Sequence, residues 1–178
     1  MLSWFTHRSS HTRTAREIYG SIVASARQET FFAKWGVPDT REGRFEMLAL
    51  QVALVMRRLG RAGAEGAALA RTLGETFITD MDDNMREIGI SDIVVPRKVK
   101  AAAAALYDRH RDYGRALDTG DTNALAQLIG ASISGSSDLP GLDQDALARY
   151  AETLSGGLDV TTDADCCAGR LPLPWPAT

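Results

Sequence analysis

The sequence contains few aromatic residues, only two cysteines and no long apolar run, and each shortage excludes a class of protein. Aromatic residues make up 7% of the 178 residues, and such a composition favours helices over sheets. No apolar run reaches the roughly 18 residues that a membrane span needs. The net charge is −3, which does not suit a polyanion binder, so we expect no specific DNA binding.

The two cysteines, Cys166 and Cys167, are adjacent and form no disulfide framework. This pattern indicates a reducing compartment, and we expect a cytoplasmic protein, or a mitochondrial matrix protein if the chain is eukaryotic. Residues 1–13 lack the apolar core of a secretory signal, although their acid-free composition is also typical of a mitochondrial presequence. We interpret them as a flexible N-terminus in which Trp4 and Phe5 offer weak contact with lipid.

Apolar residues recur at helical spacing through most of the chain and predict an all-α fold. Val52, Val55 and Leu59, for example, follow one another at intervals of three and four, which marks the buried face of a helix. No pair of strands with a turn between them appears. We predict a single compact domain of about five to seven helices over residues 14–154, followed by a flexible tail rich in glycine and proline over residues 155–178.

A helix that ends in carboxylates is followed by a helix rich in cations. The first is predicted to run from Glu65 to Ile88, where Gly89 ends it in a left-handed conformation. Pro96 suits the first turn of the second helix, because that position needs no amide donor. This reversal of charge makes the pair of helices the first candidate for function.

The acidic stretch Asp80–Asp92 has three interpretations: a docking surface, a metal or acid–base site, or a solvated face whose charges pair with one another. Asp82 and Asp83 point about 100° apart on a helix, so they do not easily share a metal ion. Asp82 and Arg86 have the spacing of an ion pair. We therefore favour a charged surface over a catalytic site.

The cations of the following helix, from Arg97 to Arg115, also leave alternatives open. They can meet phosphate, in which case contact with RNA would be through its backbone and sensitive to salt. They can equally pair with the acidic stretch beside them. His110 falls on the apolar seam of this helix, where we expect a structural role.

Phe31, Phe32 and Trp35 form a compact aromatic cluster ahead of Gly36. We favour a core plug between helices, and the alternative is an exposed patch that grips an apolar partner. No nucleotide-binding glycine loop, paired-cysteine motif or nucleophile–base set occurs, so we predict no catalytic, cofactor or metal site. The candidate partner-binding residues come from the acidic stretch, the basic helix and the aromatic cluster: Asp80, Asp82, Asp83, Arg86, Glu87, Asp92, Arg97, Lys98, Lys100, Arg109, Arg111, Arg115, Phe31, Phe32 and Trp35.

Two segments of the chain resemble the ubiquinol–cytochrome c chaperone family. They run from Trp35 to Leu59 and from Phe77 to Leu117. The most specific parts are the acidic run Asp80–Asp92 and the triplet Tyr113–Arg115, and the resemblance as a whole covers roughly residues 18–117.

The resemblance implies an all-helical, non-enzymatic assembly factor for cytochrome b and the respiratory cytochrome bc complex (complex III). It also implies contact with newly made cytochrome b or an assembly intermediate and, in mitochondrial relatives, with the ribosome near its tunnel exit. The short chain is typical of a bacterial member, and it departs from many members at Gln51, where they have histidine. Two alternatives remain: a carboxylate-based metalloprotein or enzyme using Asp80, Asp83 and Glu87, and a peripheral membrane adaptor held by its N-terminal residues.

Overall fold

The computed structural model describes residues 2–135 and 137–173, with side chains from Ser10 onward. Six long helices and two short ones make up these residues, and no strand occurs among them. In chain order the helices are α1 (Leu2–Ala26), α2 (Glu29–Ala33), α3 (Arg41–Gly60), α4 (Gly63–Glu87), α5 (Val95–Thr119), α6 (Thr122–Ser134), α7 (Gln144–Asp159) and α8 (Asp163–Cys167). The predicted all-α fold is confirmed.

Helix α3 lies at the centre of the fold and contacts α1, α4, α5, α6, α7 and α8. Fourteen of its twenty residues are buried, because apolar side chains occupy most of its circumference. Thr40 caps the start of the helix, since its hydroxyl accepts a hydrogen bond from the Gly43 amide at 3.2 Å. The other helices therefore pack around α3, and their outward faces form the surface.

Helices α4 and α5 pack on α3 and on each other, and the loop at residues 88–94 joins them. Gly89 follows the end of α4 with a φ of +78°, the left-handed conformation that was predicted there. Pro96 lies in the first turn of α5, also as predicted. The acidic and the basic stretches thus lie on two neighbouring helices.

Helix α1 begins at Leu2, upstream of residue 14, where the predicted domain starts. No glycine or proline precedes Gly20, so nothing in the local sequence ends the helix upstream of Thr14. His11 of this extension approaches α4, with its Nε2 3.9 Å from Oε1 of Glu65.

The C-terminal segment is part of the domain, in contrast to the flexible tail predicted for residues 155–178. Helix α7 continues to Asp159, and Leu158 is buried. Burial of the apolar side chains of α7 outweighs the low helix propensity of Gly156 and Gly157. Composition alone therefore misplaced the end of the domain.

Arg58 of α3 fixes this C-terminal segment to the core. Its Nε donates to the Leu158 carbonyl at 2.9 Å, and its Nη2 donates to the Thr161 carbonyl at 2.5 Å and to Oδ1 of Asp163 at 2.7 Å. Cys166 of α8 is fully buried behind these contacts. We refer to residues 158–167 as the C-terminal strap.

Residues 174–178 of the predicted tail, and the side chains of Trp4 and Phe5, lie outside the described residues. None of the described helices combines the length and the hydropathy that crossing a membrane requires.

Candidate functional site

The last two turns of α4 carry four carboxylates, Asp80, Asp82, Asp83 and Glu87, which we call the acidic end. Asp80 accepts a hydrogen bond from the Tyr19 hydroxyl of α1 at 2.7 Å. Burial and this carboxylate raise the pKa of Tyr19, so the phenol stays protonated and donates. Asp83 and Glu87 are exposed, and neither forms an ion pair with another described residue.

Arg86 pairs with two carboxylates of the same stretch. Its Nε donates to Oδ2 of Asp82 at 2.7 Å, and its Nη1 donates to Asp92. The hydrogen bond to Asp82, followed by the charge of that carboxylate, raises the pKa of Arg86. The predicted Asp82–Arg86 pair is confirmed. The carboxylates of the acidic end that form no ion pair within the described residues are Asp80, Asp83 and Glu87, and of these Asp83 and Glu87 are exposed.

A groove of about 360 Å³ runs between α1 and α4 and adjoins the acidic end. We call it the α1–α4 groove. Three carboxylates and one arginine line it together with hydroxyl groups: Thr12, Arg16, Tyr19, Thr72, Glu75, Thr76, Thr79, Asp80 and Asp83. Its excess of negative charge and its many hydroxyl groups suit a cationic, hydrogen-bonding segment of a partner.

The sequence reasoning missed the upper part of this groove, which Glu75 and three threonines supply. Thr72, Glu75, Thr76, Thr79 and Asp83 recur at intervals of three, one, three and four, which places them on one polar face of a helix. The threonine hydroxyls donate to carbonyls four residues earlier on α4, at 2.8–3.1 Å. The predicted site residues were chosen by charge and did not include this polar face, although its spacing is visible in the sequence.

Most cations of α5 point away from the protein. Arg111 pairs with Asp108 and Asp112 of the same helix. No ion pair joins the acidic end to α5 among the described residues, so the alternative in which the two stretches neutralise each other is not observed. Four cations are exposed and form no ion pair within the described part of the chain: Arg97, Lys98, Lys100 and Arg115.

Arg109, predicted as a partner-binding residue, is half-buried and paired within the domain. Its guanidinium grips Glu46 of α3 with two hydrogen bonds, Nε to Oε2 and Nη2 to Oε1, both 2.7 Å. Burial raises the pKa of Glu46 although the arginine acts in the opposite direction. The partners are 63 residues apart in sequence, so no local spacing indicates this bidentate pair.

The aromatic cluster belongs mainly to the core, and Phe31, also predicted as a partner-binding residue, is enclosed there. Phe31 is 0% exposed, and its ring lies 5.4 Å from that of Trp35 and 5.0 Å from that of Tyr150, edge to face. Trp35 and Phe32 are half-buried. Phe32 also lines a second groove, of about 670 Å³, whose other lining residues are Arg27, Glu29, Ala33, Asp39 and Arg44.

A histidine and two cysteines are the other described side chains whose chemistry the sequence raised. Burial, followed by the charge of Arg57, lowers the pKa of His110, so this half-buried histidine is neutral near pH 7. Burial raises the thiol pKa of both Cys166 and Cys167, which makes them weak nucleophiles. Within the described residues, no group of three or more His, Cys, Asp or Glu side chains could hold a metal ion.

Comparison with known proteins identifies the family. The family model described as ubiquinol–cytochrome c chaperone matches residues 33–174, from α2 to the end of the described chain. The chain belongs to the ubiquinol–cytochrome c chaperone family. Its general role is therefore that of an assembly chaperone for ubiquinol–cytochrome c reductase, and the predicted family is confirmed.

A solved relative supports the same assignment for this chaperone. The crystal structure of the Cbp3 homolog from Brucella abortus superimposes with a TM-score of 0.82 and 34% sequence identity, over 96% of this chain and 94% of that chain. A comparison with curated proteins gave no match. The likeness to a bacterial homolog agrees with the prediction of a bacterial-type member.

The triplet that is typical of the chaperone family is mostly structural here. The Tyr113 hydroxyl donates to Oγ of Ser132 in α6 at 3.1 Å. Gly114 is buried against α3, where an added Cβ would lie 3.6 Å from Cδ of Arg57. Only Arg115 of the triplet is exposed, so this motif mainly packs α5 against its neighbours.

Gln51 lies in the middle of α3 and is 0% exposed. Neither its Oε1 nor its Nε2 has a hydrogen-bond partner. The side chain cannot reach a partner protein at the surface, so we expect this position to affect the packing and stability of the core.

Proposed function

We propose that this chain is a non-enzymatic chaperone that holds newly made cytochrome b while the cytochrome bc complex is assembled. Membership of the family supports the general role. The observation that supports a client-binding surface is the acidic end of α4. Asp83, which lines the α1–α4 groove, and Glu87 are both exposed there, and neither forms an ion pair within the described residues.

The chemistry of this surface suits a membrane-protein client. Cytoplasmic segments of membrane proteins carry an excess of lysine and arginine, and Asp83, Glu87 and Glu75 offer carboxylates to such segments. Charged pairs at the rim of an interface contribute to the rate and the specificity of association more than to affinity. A chaperone that must release its client gains from such contacts.

Phe32 and Trp35 extend the proposal to an apolar contact. Both rings are half-buried, and Phe32 lines the larger groove, so each can cover apolar surface of a client without leaving its place in the core. We place the protein in the cytoplasm at the inner face of the bacterial membrane, where new cytochrome b leaves the ribosome.

The test is deletion of the gene in the source organism, followed by haem difference spectra of its membranes. We expect the b- and c-type signals of the bc complex to fall while those of other oxidases persist. The wild-type gene should restore them, and the double variant Asp83→Lys/Glu87→Lys should not. Asp138→Lys/Asp145→Lys is the matched control, because it reverses two exposed carboxylates elsewhere.

Full restoration by the Asp83/Glu87 variant, at normal protein level and with wild-type helicity, would exclude the acidic end as the site. Unchanged spectra in the deletion strain would exclude the role in assembly altogether. The two outcomes therefore separate the location of the site from the function.

A further inference from the structure

The loop between α4 and α5 carries apolar side chains that the folded chain leaves uncovered. Five large apolar residues are exposed in the described chain, and three of them lie here: Ile88 is 45%, Ile93 90% and Val94 40% exposed. Scattered apolar residues on a surface need no explanation, but three within one short loop are a local concentration of exposed apolar side chains. We call residues 88–94 the α4–α5 tip.

The backbone of the tip holds Ile93 outward. The Val94 and Val95 amides donate to the Ser91 carbonyl at 2.8 and 3.1 Å, which closes a tight turn. Ile93 lies inside that turn, and its amide donates to Oγ of Ser91 at 3.4 Å. The apolar side chain therefore protrudes from a hydrogen-bonded turn between two helices.

Three exposed cations follow immediately in the first two turns of α5, namely Arg97, Lys98 and Lys100. The first turn contains no acidic residue, and no side chain caps the helix. A helix N-terminus carries a partial positive charge, so cations there oppose helix stability. The stability of α5 therefore does not explain why cations occupy these positions, whereas contact with an external anionic partner does.

The nearby carboxylates do not cancel these cations. Arg86 is bound to both Asp82 and Asp92, and Glu87 is the one unpaired acid in the segment from 86 to 100. That segment contains four cations and two carboxylates. Its positive charge is therefore concentrated on the α5 side of the tip.

We propose that the α4–α5 tip and the cations Arg97, Lys98 and Lys100 form a contact for an anionic phospholipid surface. Ile93 and its apolar neighbours enter the interface of the bilayer, and the cations lie at the lipid phosphates. A fluid surface accommodates a protruding loop, whereas a protein partner would need a matching pocket. Nucleic acid is disfavoured because aliphatic side chains offer no face on which bases stack.

Contact of the tip with lipid is a function separate from client binding and needs no client. A tip that rests on the membrane places the acidic end of α4, one or two turns away, close to the surface from which cytochrome b emerges. Lipid contact and client contact then use neighbouring but different residues.

Co-sedimentation of the purified full chain with vesicles tests this proposal. The vesicles consist of phosphatidylcholine alone or of phosphatidylcholine and phosphatidylglycerol in equal parts. We expect binding only to the anionic vesicles, weakened by added salt. The charge variant is Arg97→Gln/Lys98→Gln/Lys100→Gln, and its control Lys34→Gln/Arg41→Gln/Arg149→Gln removes three exposed cations elsewhere and has the same net charge.

The charge variant should lower the partition coefficient by about tenfold or more, whereas the control should change it less than about twofold. Ile93→Ser should also weaken binding, and Val160→Ser, at an apolar residue that is 85% exposed elsewhere, should not.

Absence of binding by the wild-type chain, or equal losses for the charge variant and its control, would overturn the proposal. A charge variant that binds vesicles as well as the wild-type chain but fails to support assembly of the bc complex would also overturn it, because the cations would then serve a protein partner. The vesicle assay contains no cytochrome b. Absence of vesicle binding therefore leaves the assembly function untouched and can be distinguished from failure of that function.

Discussion

Arg58 is the side chain that fixes the C-terminal strap, and Arg58→Met should release it. The wild-type guanidinium donates to the carbonyls of Leu158 and Thr161 and to the carboxylate of Asp163. Methionine keeps the length, the apolar stem and the helix propensity of arginine but offers no donor. The substitution therefore removes the anchor and changes little else in α3.

The expected loss of stability follows from these three contacts. Each hydrogen bond from the buried guanidinium to a carbonyl is worth about 1.5 kcal/mol, which gives about 3 kcal/mol for the two. The exposed carboxylate of Asp163 adds about 0.5 kcal/mol or less. For a chain of this length a loss of 3 kcal/mol corresponds to a fall in Tm of about 6–12 °C.

Cys166 provides an assay that reports on the strap itself. In a Cys167→Ser background the fully buried Cys166 is the only thiol, so its labelling rate measures how often the strap opens. Since about 1.4 kcal/mol corresponds to a factor of ten, Arg58→Met should label up to about 100-fold faster. Arg41→Met, at an exposed arginine in the first turn of the same helix, is the control and should stay near the wild-type rate. Equal labelling rates for the two variants would refute the anchoring role of Arg58.

Three further predictions concern buried or paired groups. Gln51→Leu should raise the free energy of unfolding by about 1 kcal/mol, because it removes an amide without partners from the core; urea denaturation measures this, and a loss of stability would reveal a hidden partner. Arg109→Met should cost about 3–5 kcal/mol near neutral pH, since Glu46 remains buried without its cation. The pKa of Glu46 is raised, so in acid its carboxyl is protonated in the folded and the unfolded state alike. The loss of stability caused by Arg109→Met should therefore shrink as the pH falls. A loss that is independent of pH would contradict the pairing. Hydrogen bonds from Arg57 and a neighbouring arginine lower the pKa of Asp118 below its ordinary value of 3.8, so its contribution to stability is present above pH 3.8 and is lost as the pH falls through the lowered pKa. Asp118→Asn should flatten this acid limb of the stability curve, and an unchanged limb would count against the interaction.

The elements that the sequence predicted well are those with local causes. Helix α3 follows from the spacing of its own apolar residues, and Thr40 and Gly89 act at its start and at the end of α4 through contacts within a few residues. The Asp82–Arg86 pair is equally local. Such features depend on intervals of three and four and on backbone preference, and both can be read from the chain.

The elements that the sequence misplaced depend on tertiary contacts. The C-terminal strap looks like a loop by composition, and only its burial against Arg58 makes it part of the domain. Arg109 looks like a surface cation until Glu46 is placed opposite it, and Phe31 is enclosed by Tyr150 from the far end of the chain. The candidate site was therefore predicted at the level of α4 and α5, while the sorting of its charges into paired and unpaired required the fold.

The family assignment shows the same division. The triplet Tyr113–Arg115 helped to indicate the family, yet two of its residues pack inside the domain. The acidic run lies largely at the surface, and its unpaired residues adjoin a groove that only the packing of α1 against α4 creates. A motif can thus identify a family without marking the residues that bind.

The most direct test of the central claim is photo-crosslinking of newly made cytochrome b in cells. A photoreactive amino acid replaces Thr79 in the α1–α4 groove, and a matched chain carries it at Arg149, an exposed position on α7. Our account predicts a pulse-labelled adduct with cytochrome b from position 79 that disappears when Asp83 and Glu87 are reversed to lysine, and little or no adduct from position 149. No adduct from the groove, or equal adducts from both positions, would contradict it.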